Sequence, residues 1–275
     1  MACFDFSSAV DLSRSWTRHE LTHYNVTISS LPPADFFLAP DPSLDHIDPA
    51  ILDPPPDRNS RALSNPDTSI FLSSLDLAIR PTEDCFVVNF AAETLKLLGF
   101  QEGRAILTLH PLFRLTVFGE SRAVVRLDVC LLHPPQTFAL LVVINDEILT
   151  RNVDAEPHVV AAAIAAFQSN NRKRIDLRLD PLDTMTIPCI KMTGTRPTFY
   201  LVPVTETLSE AVIRGQHPAT RTRVLRCPTA ATHTKDPNAG MEDIEYRKLA
   251  LKRFLVFKAL ARSHWERILE GVGEV

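Results

Sequence analysis

Two runs decide how this chain is read: Val124-Val125-Arg126-Leu127-Asp128-Val129-Cys130-Leu131-Leu132, and Phe138-Ala139-Leu140-Leu141-Val142-Val143-Ile144 continuing into Asn145-Asp146-Glu147. Both have the length and β-branched content of strands, and Pro134-Pro135 between them reads as a turn. Phe138 to Ile144 has no polar interruption, the mark of a strand covered on both faces and hence interior to its sheet. The first run carries one carboxylate, Asp128, among apolar residues. Burying an unpaired carboxylate is costly, so this position calls for a metal, a partner cation or strain. Residues two apart on a strand share a face. Asn145 and Glu147 therefore project together, with Asp128 of the neighbouring strand able to face them. Asp146 falls on the opposite face and is expected in solvent.

Working outward, Leu112 to Phe118 reads as a strand joined to the first run through Gly119-Glu120. Asp84 to Leu98 carries a stripe at helical spacing (Val87, Phe90, Ala91, Thr94, Leu95, Leu98) and stops at Gly99, a good C-terminal signal. A second helix spans Glu156 to Arg172; its alanines allow close packing on a sheet, with Ile164 and Phe167 supplying bulk. Thr184 to Met192 and Thr198 to Val204 are further strands, and Glu206 to Arg214 is a short helix ending at Gly215. Glu242 to Leu269 shows a last helical stripe at Tyr246, Ala250, Phe254, Phe257, Ala261, Trp265 and Ile268. The class is α/β: a mixed sheet in helix-strand-strand-strand-helix-strand order, flanked by helices, plus a long C-terminal helix.

The expected organisation is an acidic, Pro-rich tail over 1–68, extended or partly disordered, then a core over 69–215, a connector over 216–241 and the C-terminal helix over 242–275. The tail holds nine of the 21 prolines and ten acids against four bases, net −6. The remaining 23 acids and 25 bases leave the body at +2, too little to demand a polyanionic partner. Two apolar islands, Leu21 to Leu31 and Phe36-Phe37-Leu38, lie on the body as a strap or serve as a docking motif. The five cysteines have no zinc-ligand spacing. No apolar run approaches the ~18 residues of a membrane span, and the N-terminus lacks a signal-peptide core. These features give an expectation of an intracellular protein, cytoplasmic or nuclear, without a membrane partner. Gly-rich phosphate loops, His-Glu-x-x-His and Gly-x-Ser-x-Gly are all missing.

Several stretches together resemble the restriction-endonuclease-like superfamily, with its PD-(D/E)XK signature, over about half the chain. They are Phe90-Ala91-Ala92-Glu93 through Leu98-Gly99-Phe100, Gly119-Glu120, Leu127-Asp128-Val129-Cys130, Ala163 to Asn171, Met192-Thr193-Gly194-Thr195 and Pro197-Thr198-Phe199-Tyr200. The likeness is nearest to a set of uncharacterised fungal proteins with a degenerate form of that motif. It implies a restriction-endonuclease-like core. Asp128 then matches the first metal-binding aspartate, and Glu93 the acid that many members place on the first helix. The signature's second acid falls at Asn145 and its lysine at Glu147, both departures; His158 replaces a common glutamine. Magnesium or manganese needs several oxygen ligands, which Glu93, Asp128 and Glu147 would supply. Asparagine offers a neutral carbonyl but no charge, and loss of the lysine removes a cation that would stabilise developing negative charge.

The resemblance implies a catalytically degenerate nuclease-fold protein acting as a nucleic-acid-binding or scaffold module. Two alternatives stand beside it. One is a weak magnesium- or manganese-dependent phosphodiesterase in which Lys191 or a base of the second helix replaces the lost lysine. The other is a protein-interaction module using the acidic tail and the terminal helix. Arg172-Lys173-Arg174 is the candidate phosphate contact, although bases at a helix C-terminus are already favoured by the helix dipole. Asp128 pairing with Arg126 or Arg114, a solvated Glu93 and a Glu147–Arg151 contact are the plainer alternatives.

Overall fold

The computed structural model describes residues 10–11, 16–53, 65–79, 83–146, 155–230 and 239–273, with the backbone alone at 10, 11, 84 and 120–123. Its strands are β1 (Val10–Asp11), β2 (Val26–Ser30), β3 (Ile106–Leu109), β4 (Leu112–Val117), β5 (Glu120–Arg126), β6 (Val129–His133), β7 (Phe138–Asn145), β8 (Thr184–Thr193), β9 (Arg196–Thr205) and β10 (Thr222–Pro228). Its helices are α1 (Arg18–His23), α2 (Pro33–Phe37), α3 (Pro49–Leu52), α4 (Pro66–Ala78), α5 (Asp84–Leu97), α6 (Glu156–Asp176), α7 (Glu206–Arg214) and α8 (Ile244–Ile268).

Seven strands form one mixed sheet in the order β2-β10-β9-β8-β7-β6-β3, and β1, β5 and β4 form a smaller sheet. The pairs β7–β8 and β2–β10 are parallel; β3–β6, β6–β7, β8–β9 and β9–β10 are antiparallel. Phe138 to Ile144 is buried throughout and lies inside the sheet, flanked by β6 and β8. The fold is thus α/β with flanking helices and a C-terminal helix.

Alternation along β9 separates the two faces. Phe199 meets Phe254 and Phe257 of α8 with ring centroids 5.2 and 4.8 Å away, whereas Tyr200 donates its hydroxyl to Glu156 of α6 at 3.0 Å. One face is therefore covered by α6 and the other by α8, whose Lys258 also caps the Leu98 carbonyl at the end of α5. The seven stripe residues of α8 are all buried.

Three adjacent amides on α6 tie separate segments together. The Gln168 side-chain oxygen accepts the Thr116 N–H at 2.8 Å while its NH2 reaches the Thr116 carbonyl at 3.3 Å. Asn170 does the same to Ala139, at 2.8 and 2.9 Å, and Asn171 to Leu182, at 2.9 Å both ways. Thr116 sits where the β4–β5 register shifts, and Ala139 borders the β6–β7 shift on a part of β7 that β8 does not reach, its pairing starting at Val142. A bulge leaves main-chain groups without ladder partners, and a buried main-chain group must find one. Each amide acts as a one-residue substitute strand.

Four expectations need correction. Val124 to Leu132 is not one strand: the chain breaks at Leu127–Asp128, so that β5 belongs to the small sheet and β6 to the large one. The supposed connector at 216–241 contains β10, an interior strand. Residues 66–78, placed at the tail boundary, form α4, which packs on α5. Most of the supposed tail, residues 16–53, folds as α1, β2, α2 and α3. It buries Trp16, Leu21, Tyr24, Val26, Phe36, Phe37, Leu44, Ile47 and Ile51. Phe37 packs edge-on against Phe199, Arg253 of α8 pairs with Asp41, and the buried Arg247 guanidinium donates to the Ile51 carbonyl at 2.9 Å. Single anchor residues hold this segment, so it shows no helical or strand period.

Candidate functional site

The carboxyl ends of the parallel pair β7 and β8 lie side by side, with Ile144 opposite Lys191 and Asn145 opposite Met192. Partners across a ladder share a face. Ile144, Lys191 and Thr193 lie on the α6 side with Tyr200, while Asn145 and Met192 lie on the α8 side with Val143, Ile190 and Phe199. Asp146 follows this phase. Its carboxylate accepts from the Lys191 ammonium at 2.9 Å and from the Thr193 hydroxyl at 3.3 Å, and its N–H donates to the Met192 carbonyl at 2.7 Å. The pair is mostly buried, with side-chain exposures of 14 % for Lys191 and 18 % for Asp146.

Asp128 stands at the break between β5 and β6 and is half-buried. Its Oδ2 accepts the main-chain N–H of Asn145 at 2.6 Å, and its carbonyl accepts the His110 N–H at 3.0 Å. A third acid, Glu156, opens α6. Its Oε1 accepts from Tyr200 and from the Arg226 guanidinium, contributed by the cross-strand neighbours Tyr200 and Arg226 of β9 and β10. The α6 face thus carries Asp146–Lys191–Thr193 and Glu156–Tyr200–Arg226, two acids each matched by one base.

The sequence expectations fare unequally here. Asp128 does meet the end of β7, but it meets the backbone of Asn145 rather than its amide. The Asn145 side chain projects to the other face, where its Oδ1 is buried without a hydrogen-bond partner among the described residues. At the end of β7 the acid that reaches a lysine is Asp146, one position from the expected one and not in solvent. Glu147 lies outside the described residues, as does Arg151. Glu93 is half-buried on α5 and takes the Lys96 ammonium at 2.7 Å, one turn along its own helix. His158 is half-buried in the first turn of α6. Among the described residues, no three His, Cys, Asp or Glu side chains group closely enough to hold a metal ion.

Arg172, Lys173 and Arg174 do not form one free patch. Arg174 is buried and donates to the carbonyls of Asp180, Ile268 and Glu270, at 2.8, 3.2 and 2.8 Å, closing the C-terminus of α8. Lys173 donates to the Thr137 carbonyl at 2.5 Å and lies over the Phe113 ring, 5.4 Å from its centroid. Burial pulls its ammonium down to about 8, and the same burial pushes the neighbouring Cys130 thiol up to about 12. Arg172 alone of the three is exposed.

Lys191 was nameable from the sequence as a substitute cation, but Glu156, Tyr200 and Arg226 were not. Nothing in the local sequence links these three, which come from α6, β9 and β10. No family model matches the chain, and no curated protein matches it. No described helix is long and apolar enough to cross a membrane.

Proposed function

We propose that this chain is a catalytically degenerate member of the restriction-endonuclease-like fold, working as a nucleic-acid-binding or scaffold module rather than as a phosphodiesterase. The order α5, strands through β7, α6, β8 supports the fold. The observation that carries the functional reading is the Lys191 ammonium seated on Asp146. Hydrolysis by a bound magnesium or manganese ion needs anionic oxygens directed at the metal, which then polarises the phosphate and lowers the pKa of an attacking water. Here the acids already have partners. Asp146 is neutralised by Lys191, Glu156 by Arg226, Glu93 by Lys96, and one Asp128 oxygen is spent on a main-chain N–H. Breaking a mostly buried ion pair to admit a metal leaves an uncompensated charge, a loss of about 3–5 kcal/mol.

The test is direct. The purified chain is incubated with single- and double-stranded DNA and RNA in manganese, alongside Asp128→Ala. Intact substrate in both is expected. Cleavage by the wild type that disappears in Asp128→Ala overturns the reading. The binding arm uses fluorescence anisotropy with the same oligonucleotides: saturable, salt-sensitive binding marks the nucleic-acid module, and a flat response leaves the scaffold.

A further inference from the structure

Lys96, Lys191, Lys248 and Lys258 each rest on a carboxylate. Lys173, half-buried near the end of α6, rests instead on a neutral carbonyl, with no carboxylate in ion-pair range among the described residues. We propose that the Lys173 amine is a carbon dioxide site: it adds CO2 to form a carbamate whose carboxylate is held by the Arg172 guanidinium, while the remaining N–H stays on the Thr137 carbonyl. This goes beyond the binding or scaffold role and does not rest on it.

The seat is built from three elements. The amine donates to the Thr137 carbonyl, in the turn between β6 and β7, at 2.5 Å, and lies over the Phe113 ring of β4, 5.4 Å from its centroid. A carbonyl and a ring face attract a cation, but neither carries a net charge to neutralise it. Thr137 is exposed, so the amine sits at the boundary with solvent. Thr137 also has φ +60°, a left-handed conformation that a β-branched residue rarely takes. Strain of this kind gathers at functional positions, and here it belongs to the residue whose carbonyl takes the amine.

The charges nearby favour an anion. On α6 Arg172 opposes the Lys173 ammonium, Arg114 of β4 opposes Arg172, and Asp176 one turn on acts on Arg172. From β6 the facing group is the Cys130 thiol, which burial keeps protonated up to about 12. In that company, and half-buried, Lys173 titrates at about 8, so about half of its amine is neutral at pH 8, against less than about 1 % for an ordinary lysine. A neutral lysine amine is a nucleophile. Its lone pair attacks the carbon of CO2, an N–C bond forms, one C=O π pair moves onto oxygen, and one N–H proton passes to solvent. A cation becomes an anion, and one N–H is left for Thr137. The new carboxylate is planar, the shape that a guanidinium matches. CO2 is small and uncharged, so it reaches a half-buried amine that bulkier acyl donors meet poorly.

The probe is isotopically labelled bicarbonate, equilibrated at pH 8 with the full wild-type chain and with Arg172→Met, folding being checked by circular dichroism. Carbamates are trapped as ethyl esters with triethyloxonium tetrafluoroborate and located by peptide mass spectrometry. The wild type should carry label on Lys173 at least about tenfold above Lys96 and Lys248, which rest on carboxylates. Arg172→Met should lower the Lys173 label at least about threefold and leave the other two lysines unchanged. A folded wild type without label on Lys173, or with no more there than on Lys96 and Lys248, overturns the proposal. Unchanged Lys173 label in Arg172→Met removes the seat for the anion and overturns it as well. If Arg172→Met does not fold, Arg172→Gln is read by the same criteria, and the wild-type comparison among the three lysines decides alone if neither folds.

Discussion

Asn170→Ala offers the sharpest test of how α6 organises this fold. The Asn170 side chain is fully buried, and its amide is the partner of both main-chain groups of Ala139 at the register shift between β6 and β7. Alanine leaves one buried N–H and one buried carbonyl without a partner, each worth about 1–3 kcal/mol. The expected loss is about 2–5 kcal/mol, since water entering the space left by the amide recovers part of it. At about 2–4 °C per kcal/mol for a chain near this size, the thermal midpoint should fall by about 4–20 °C. Urea denaturation followed by circular dichroism measures the free energy, and Ser169→Ala, one residue away and only half-buried, is the control with an expected change of about 0.5 kcal/mol or less. Asn170→Asp keeps the acceptor but loses the donor and adds a buried charge, so it should cost at least as much as alanine. An Asn170→Ala protein within about 0.5 kcal/mol of wild type refutes the argument that the amide replaces a ladder partner.

Other consequences follow from the same geometry. Lys173 has a folded pKa of about 8, below its unfolded value, so the unfolded chain binds more protons between about 8 and 10.5 and the Lys173 contribution to stability rises with pH there. Lys173→Met should remove that rise, read as the difference between the two stability–pH curves from pH 7 to 9; parallel curves contradict it. Above pH 9 the buried Cys130 thiol, raised to about 12, acts in the opposite sense, so it offsets the Lys173 rise in the wild type and leaves a net fall in Lys173→Met. Phe37→Ala, which removes a ring from the Phe199 and Arg253 contacts, should cost about 3–5 kcal/mol, and deletion of 1–68 should abolish cooperative melting; an unchanged melt would make the N-terminal segment a mere appendage. Arg174→Met should lose about 2–4 kcal/mol through three deprived carbonyls, whereas Arg172→Met should leave stability within about 0.5 kcal/mol; equal effects would contradict the division of the basic cluster.

Much of the fold was legible where one face of an element is polar or where its end is marked. The α8 stripe, the Gly99 stop of α5 and the Gly215 stop of α7 are of that kind: both glycines have positive φ, +68° and +66°, which favours glycine. The candidate site was legible only to within one residue, and the reason is physical. Strand β7 is buried on both faces, so its apolar run carries no alternation to fix which of Asn145 and Asp146 points to α6. A slip of one residue moves a side chain to the other face. Similarly, Val124 to Leu132 is apolar on both sides of Arg126 and Asp128 while passing from one sheet to the other, and lone polar residues fit a continuous strand as well as a break. Strand β10 carries two arginines, and Arg226 owes its place to Glu156, 70 positions away. The N-terminal segment is held by isolated anchors such as Phe36 and Phe37, which a search for periodicity passes over.

The most direct measurement is a crystal soaked in MnCl2 and recorded at the manganese absorption edge. The account expects no anomalous peak beside Asp146, with the Lys191 ammonium still in hydrogen-bonding range of its carboxylate. An anomalous peak bridging Asp128 and Asp146, with Lys191 displaced, contradicts it.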